Sequence, residues 1–137
     1  MASDPSRRTL VQKLGIKAGF RLAILSAPAN YDNTLGQLPE DAEAKHKLSG
    51  QLDFVQVFAT DAKALQEEFQ NIKPNLKENG ILWISWPKVS SGLITSLNEK
   101  AVRELGLQNG LVDVKVCAVD DVWSGLKFVK RIKDRRV

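Results

Sequence analysis

The apolar positions of this 137-residue chain fall into blocks of two kinds that alternate along the sequence. Blocks of the first kind are apolar at nearly every position, which is typical of strands covered on both faces of a sheet. They are residues 20–27, 52–59 and 81–86. Blocks of the second kind have apolar residues on one helical face. They are residues 9–14, 61–72 and 96–105, and a further short helix is predicted over 31–38, capped by Asn30 or Asp32.

Polar residues, proline and glycine predict where these helices begin and end. Asp61 can cap the helix that follows it, and Pro74 should lie just beyond the end of that helix. Residues 96–99 have the form of a capping box, so Ser96 is the predicted cap of the next helix. Gly106 is the predicted stop of that same helix.

Two further segments alternate between apolar and polar residues, as strands do. Residues 42–48 carry a charge at every second position, which is typical of a sheet edge. In residues 111–119 the alternation predicts that four side chains share one face: Val112, Val114, Val116 and Ala118. The turn at Asp120 and Asp121 returns the chain as a last strand over 123–132, so these two strands should be antiparallel neighbours.

Strands and helices therefore alternate until a final hairpin. This order predicts an α/β fold with one mainly parallel sheet of about six strands, helices on both faces and a C-terminal antiparallel hairpin. The length and the 43% hydrophobic content suit a single domain. We expect that domain over residues 9–132, between a disordered segment 1–8 and a basic tail 133–137.

The composition excludes several classes of protein. The single cysteine, Cys117, excludes an internal disulfide framework and a cysteine-rich zinc site. No apolar run approaches the roughly 18–20 residues that span a bilayer, and the first residues lack the apolar stretch of a signal peptide. We therefore expect a cytoplasmic protein without membrane contact.

The positive charge is concentrated at the C-terminus. The net charge is +4, and residues 127–136 hold six basic residues and one acidic residue. Such a segment can attract phosphate polyanions, but basic runs are also common as solvated termini. We do not expect a nucleic-acid partner on this basis.

The order of elements resembles the Rossmann-like fold of the class I S-adenosylmethionine-dependent methyltransferases. Three stretches carry the resemblance: 14–22 as the entry to the first strand, 72–83 as a helix-to-strand passage, and 111–132 as the final antiparallel pair. The chain also resembles a small bacterial family of uncharacterised single-domain proteins. The stretches that carry this second resemblance are 83–88 with 91–92, 101–107, and 112–120 leading to 123–127.

The chain departs from the methyltransferase pattern at three places. Where the resemblance implies a glycine-rich cofactor turn after the first strand, residues 26–30 read Ser-Ala-Pro-Ala-Asn. Pro28 has no amide proton, and the side chains add bulk where glycine would let a cofactor approach. The resemblance also implies an acidic residue after the second strand that binds a ribose, but residues 48–50 contain none. One strand–helix unit of the methyltransferase pattern is missing between Leu48 and Leu52. The departures imply a minimal methyltransferase-like domain, and we expect no cofactor and no metal.

The candidate binding site lies where ligands bind in open α/β sheets, at the carboxyl ends of the strands. Its residues are Lys88, Ser90, Ser91, Gly92, Asn30, Tyr31 and Trp86. The Lys88 charge, two hydroxyls and the loop amides could hold a small anion, and a helix capped by Ser96 would add positive potential. The alternative is an exposed loop whose serine and glycine residues serve turn geometry.

Other reactive residues carry weaker indications. Trp83 and Trp86 are three residues apart on one strand, so they face opposite sides and only one of them could stack on a base; core packing is the alternative. His46 is the single histidine and lies within the predicted edge strand, far from Cys117. We therefore expect no catalytic role for His46.

Three hypotheses for the function follow. The favoured one is a non-catalytic binding or interaction protein that takes a small anionic ligand or a protein partner at the Lys88–Gly92 rim. Either edge strand, 42–48 or 111–119, could pair with a second copy of the chain to form a homodimer. The second hypothesis is an enzyme with divergent nucleotide or cofactor binding, and the third is a nucleic-acid accessory protein that works through its basic C-terminus.

Overall fold

A computed structural model describes residues 8–131 of the chain. The basic tail 133–137 and nearly all of the predicted disordered segment, residues 1–7, lie outside the described residues. No helix within residues 8–131 has the length and apolar character needed to cross a membrane.

The described residues form six strands and four α-helices. In chain order these are α1 (Leu10–Leu14), β1 (Arg21–Leu25), α2 (Tyr31–Leu35), β2 (Glu43–Lys45), β3 (Leu52–Phe58), α3 (Ala62–Asn75), β4 (Leu76–Pro87), α4 (Glu99–Gln108), β5 (Leu111–Ala118) and β6 (Trp123–Lys130), with a 3₁₀ turn at Val89–Ser91 after β4.

One sheet runs through the whole molecule in the order β2-β1-β3-β4-β6-β5. The first four of these strands are parallel, whereas β6 is antiparallel to both β4 and β5. This arrangement confirms the predicted α/β fold with its C-terminal hairpin. The chain runs from β2 to β3 through residues 46–51 without a further strand or helix.

Each face of the sheet is covered by a separate apolar cluster. On one face, α3 and α4 pack on the inward residues of β3, β4 and β6, with Leu65, Phe69 and Val102 fully buried. On the other face, α1 and α2 pack around Trp83 and Tyr31. The near-continuous apolar runs of β3 and β4 follow from this burial on both faces.

A chain of buried hydrogen bonds lies on the face of the sheet that α1 and α2 cover. Gln56 is fully buried within β3. Its side-chain oxygen accepts a hydrogen bond from the Tyr31 hydroxyl at 2.6 Å, and its side-chain nitrogen donates to the Ser85 hydroxyl at 3.1 Å. Burial raises the pKa of the Tyr31 phenol above its ordinary value, so the phenol remains a proton donor. These hydrogen bonds therefore satisfy three polar groups that would otherwise be costly to bury.

The predicted boundaries of α3 and α4 were wrong in three respects. Helix α3 runs through Pro74 to Asn75, and the side-chain amide of Gln51 binds the Pro74 carbonyl at 2.8 Å. The cap of α4 is Asn98, whose side chain accepts from the amide of Ala101 at 2.8 Å, whereas Ser96 accepts from the first amide of α3, at Ala62. Gly106 lies inside α4 and packs closely against the Phe128 ring, so it does not end the helix.

The predicted alternation along β5 was also wrong. The pairing register with β6 shifts between Asp113 and Lys115, which marks a β-bulge. Val112 lies opposite Val129, and Val116 lies opposite Leu126. Since Val129 and Leu126 are three residues apart on β6, Val112 and Val116 lie on opposite faces of the sheet.

Candidate functional site

Two clefts open at the carboxyl ends of the parallel strands. Strand β1 lies between β2 and β3, so the chain connections run in opposite directions on its two sides. This topological switch point is where open α/β sheets bind their ligands. The first cleft has a volume of about 400 Å³ and is lined by Ile24, Ser26, Ala27, Pro28, Ala29, Tyr31, Asp32 and His46. The second has a volume of about 320 Å³ and is lined by Ser26, Val57, Phe58, Ala59, Thr60, Asp61, Ala64, Leu65, Glu68 and Trp123.

Ser26 borders both clefts and has an unusual backbone. Its φ is +59°, in the left-handed region that favours glycine. This conformation costs a residue other than glycine about 1–2 kcal/mol. Backbone strain of this kind clusters at binding and catalytic sites. The turn after β1 therefore keeps a glycine-type conformation although its sequence contains no glycine.

Substitutions at Ser26 should change the free energy of unfolding according to how well the new residue adopts a positive φ. Ser26→Val should lower the free energy of unfolding by about 1–3 kcal/mol, because a branched side chain fits poorly at positive φ. Ser26→Gly should not lower it, since glycine adopts this φ without strain. Urea denaturation of the two variants measures both effects. Equal urea midpoints for the valine and glycine variants would show that the turn is not held in this conformation.

The first cleft is bordered by one polar side chain from helix α2 and one from the loop after β2. Asp32 lies in the first turn of α2, and His46 immediately follows the last residue of β2. Both side chains are exposed and border the cleft. The sequence placed His46 inside an edge strand, which was wrong because β2 ends at Lys45. The charge alternation continues through Lys47 and so conceals the true end of the strand.

The second cleft combines carboxylates with an aromatic wall. Asp61 and Glu68, both on or next to α3, border it together with Trp123. The Trp123 ring meets Phe58 edge-to-face at 5.1 Å between centroids. The loop after β4 is tied to the wall of this cleft, since the Thr60 carbonyl accepts from the Thr95 hydroxyl at 2.7 Å. The sequence predicts Trp123 only as the first residue of the last strand, so its place at this cleft was not predicted.

The predicted anion loop forms a compact turn after β4. The Lys88 amide donates to the Val122 carbonyl at 2.8 Å, and Lys88 precedes the 3₁₀ turn. The Ser91 hydroxyl donates to the Lys88 carbonyl at 2.6 Å and accepts from the Leu93 amide. Gly92 ends the turn with φ +75°, and Ser90 is exposed. The Ser91 hydroxyl therefore stabilises the loop itself.

The remaining predicted site residues lie elsewhere in the rim and the core. Asn30 is exposed at the start of α2, whereas Tyr31 is buried and bonded to Gln56. Trp86 is 5% exposed and packs in the cluster beneath α3 and α4. Of the seven predicted residues, Tyr31 alone lines either cleft. An anion site at Lys88–Gly92 stays a prediction.

Metal ligands are not gathered at this rim. Within residues 8–131, no group of three or more His, Cys, Asp and Glu side chains is placed to hold a metal ion.

Comparison with solved structures identifies the fold. The chain is similar, with a TM-score of 0.64 and 15% sequence identity, to a SAM dependent methyltransferase from Aquifex aeolicus; the match covers 91% of this chain and 93% of that one. Magnesium protoporphyrin IX methyltransferase from Synechocystis PCC 6803 with bound SAH matches with a TM-score of 0.55 and 12% identity, over 89% of this chain and 78% of that one. Precorrin-6y C5,15-methyltransferase from Geobacter metallireducens GS-15 matches with a TM-score of 0.58 and 12% identity, over 88% and 86%.

These likenesses show that the fold is methyltransferase-like. No protein-family model matches the chain, and no curated protein matches its sequence. The resemblance to a small bacterial family of single-domain proteins therefore stays a prediction.

Proposed function

We propose that this chain binds an adenosyl-type ligand of the S-adenosylmethionine class across Ser26 and acts as a methyltransferase-like enzyme with a divergent cofactor site. The observation that carries the proposal is the pair of clefts, of about 400 and 320 Å³, that flank Ser26 at the switch point of the sheet. The methyltransferase neighbours, one of them with bound SAH, favour this hypothesis over the non-catalytic one.

The chemistry of the clefts suits the two ends of such a ligand. In the first cleft, Asp32 can accept hydrogen bonds from ribose hydroxyls, and His46 can accept from or donate to them. In the second cleft, Asp61 and Glu68 supply negative charge and Trp123 supplies an aromatic ring. A sulfonium or ammonium cation is attracted by both kinds of group. The ligand would therefore place its ribose beside α2 and its charged amino-acid end beside α3.

The proline in the turn selects among cofactors rather than excluding all of them. Pro28 lines the first cleft and its carbonyl accepts from the Tyr31 amide at 3.0 Å, so it belongs to the first turn before α2. A dinucleotide pyrophosphate needs a row of backbone amides at this position, and proline removes one of them. An adenosyl sulfonium carries no phosphate. The turn therefore disfavours dinucleotides more than it disfavours S-adenosylmethionine.

Isothermal titration calorimetry tests the proposal with S-adenosylmethionine and its demethylated product. We expect micromolar binding by the unaltered chain. Ala64→Trp should abolish that binding, because Ala64 is exposed on α3 and lines the second cleft, where an indole would occupy the space. The matched control is Lys63→Trp, which adds the same side chain at the neighbouring exposed position outside the cleft.

The outcomes separate the hypotheses. Binding that survives in the Lys63→Trp variant and is lost in the Ala64→Trp variant supports the proposed site. If the unaltered, folded chain gives no heat of binding, the proposal is overturned and the non-catalytic hypothesis is again the favoured one. Equal binding by both tryptophan variants would place the ligand outside the second cleft and would also overturn it.

A further inference from the structure

Three lysines, two on the C-terminal hairpin and one in the loop after α1, lie near one another on the α1 side of the sheet. Lys115 on β5 lies directly opposite Lys127 on β6. Lys127 in turn lies opposite Trp83 of β4, the residue around which α1 packs. Lys17 belongs to the loop between α1 and β1. We call Lys17, Lys115 and Lys127 the lysine cluster.

The ammonium group of Lys127 is held close to the α1 end of that loop. A Cβ atom built on Gly15 would lie 3.8 Å from the Lys127 Nζ. Gly15 has φ +85° and ends α1, so the chain turns sharply just beside the ammonium group. Lys127 is the first residue of the basic run 127–136, whereas Lys17 and Lys115 are brought near it by the fold.

Among residues 8–131, no carboxylate forms an ion pair with a member of the lysine cluster. The ion pairs within residues 8–131 join Arg21 with Glu43, Lys77 with Asp53, Arg103 with Glu99 and Asp113, and Lys130 with Glu78. Burial lowers the pKa of the Lys127 ammonium below its ordinary value, and the charges of Lys115 and Lys17 lower it further. Like charges that lie directly opposite on paired strands are destabilising.

We propose that the lysine cluster is a binding site for a phosphoryl group, either of a free phosphate ester or of a nucleic-acid backbone. Three neighbouring cations that repel one another would be neutralised together by one multiply charged anion. The site is separate from the clefts at Ser26. Trp123, which borders the second cleft, lies four residues from Lys127 along β6, which corresponds to about 13 Å.

Two probes test the proposal, inorganic pyrophosphate and a short fluorescent oligothymidylate. The variant that removes the charge is Lys115→Gln/Lys127→Gln. Its affinity for whichever probe the unaltered chain binds should fall by at least about tenfold. For the oligonucleotide, the slope of log affinity against log salt should become shallower by about 1.4, at about 0.7 for each lost lysine contact.

Two controls make the result specific to the cluster. Lys63→Gln/Lys100→Gln removes the same charge from exposed positions on α3 and α4, on the opposite face, and should bind as the unaltered chain does. Lys115→Arg/Lys127→Arg keeps the charge and should retain binding. The melting temperature of the glutamine variant should be no lower than that of the unaltered chain, because the repulsion among the lysines is relieved.

The probes also identify the source of the phosphoryl group. Binding of pyrophosphate alone indicates a free phosphate ester, and tighter binding of the oligonucleotide indicates a nucleic-acid backbone. If the unaltered chain binds neither probe, the proposal is wrong. The same holds if the two glutamine variants lose affinity equally, or if deletion of residues 132–137 removes all binding while the lysine cluster is intact.

Discussion

Replacing Trp83 with alanine should lower the free energy of unfolding by about 3–5 kcal/mol, the usual cost of truncating a large buried aromatic side chain. Trp83 is fully buried at the centre of β4. Its indole Nε1 donates to the Leu14 carbonyl at 2.8 Å, and this bond joins the sheet to the end of α1. The truncation would leave a cavity and also deprive a buried carbonyl of its donor. Guanidinium denaturation followed by circular dichroism measures the loss.

The matched control is Trp83→Phe, which keeps an aromatic ring but removes the N–H donor. We expect it to cost less than the alanine variant, because part of the ring volume remains. A second control is Val114→Ala, which truncates a half-exposed residue of β5 and should cost little. An alanine variant at Trp83 that unfolds at the same denaturant concentration as the unaltered chain would contradict this packing of α1 on the sheet.

Replacing Gly106 with alanine should lower the free energy of unfolding by about 1–3 kcal/mol, although alanine is the better helix former by about 1 kcal/mol. Gly106 is buried inside α4, and a Cβ atom there would overlap the ring of Phe128 on β6. That ring is itself fully buried and cannot move aside into solvent. The steric overlap therefore outweighs the gain in helix propensity.

A compensating change tests the cause of the Gly106 effect. Phe128→Leu removes ring atoms beneath the glycine, so the double variant with Gly106→Ala should lose less stability than the two single changes predict together. Glu104→Ala is the control, because Glu104 is exposed on the same helix. A Gly106→Ala variant as stable as the Glu104→Ala variant would disprove the close contact between α4 and β6.

The sequence predicted those parts of the fold that depend on local pattern. Strand β3 and the second half of β4, residues 81–86, were identified because burial on both faces leaves a nearly continuous apolar run. The first half of β4, residues 76–80, is largely polar and was not predicted as strand. Helix α3 was identified from the spacing of Leu65, Phe69 and Ile72 and from its cap Asp61, whose side chain accepts from Ala64 at 2.8 Å. The alternation of strands with helices then predicted the mainly parallel sheet.

Features that depend on tertiary contacts could not be predicted in the same way. Glycine commonly ends helices, but Gly106 lies within α4 and leaves room for the Phe128 ring. The bulge between Asp113 and Lys115 leaves no mark in the hydrophobic pattern. Ser26 was noticed as a missing glycine, yet its left-handed backbone is visible only in the structure. The sequence thus predicted a candidate site at the carboxyl edge of the sheet, but not the two clefts that the structure has there.

A crystal structure of the chain grown with S-adenosylhomocysteine would show directly whether the clefts at Ser26 bind an adenosyl ligand. We expect the ribose in the cleft beside Asp32 and His46, with the amino-acid end passing Ser26 into the cleft beside Asp61. Ordered clefts without ligand at a saturating concentration would contradict this expectation. So would a ligand bound at the Lys88–Gly92 turn, which would support the anion site of the non-catalytic hypothesis instead.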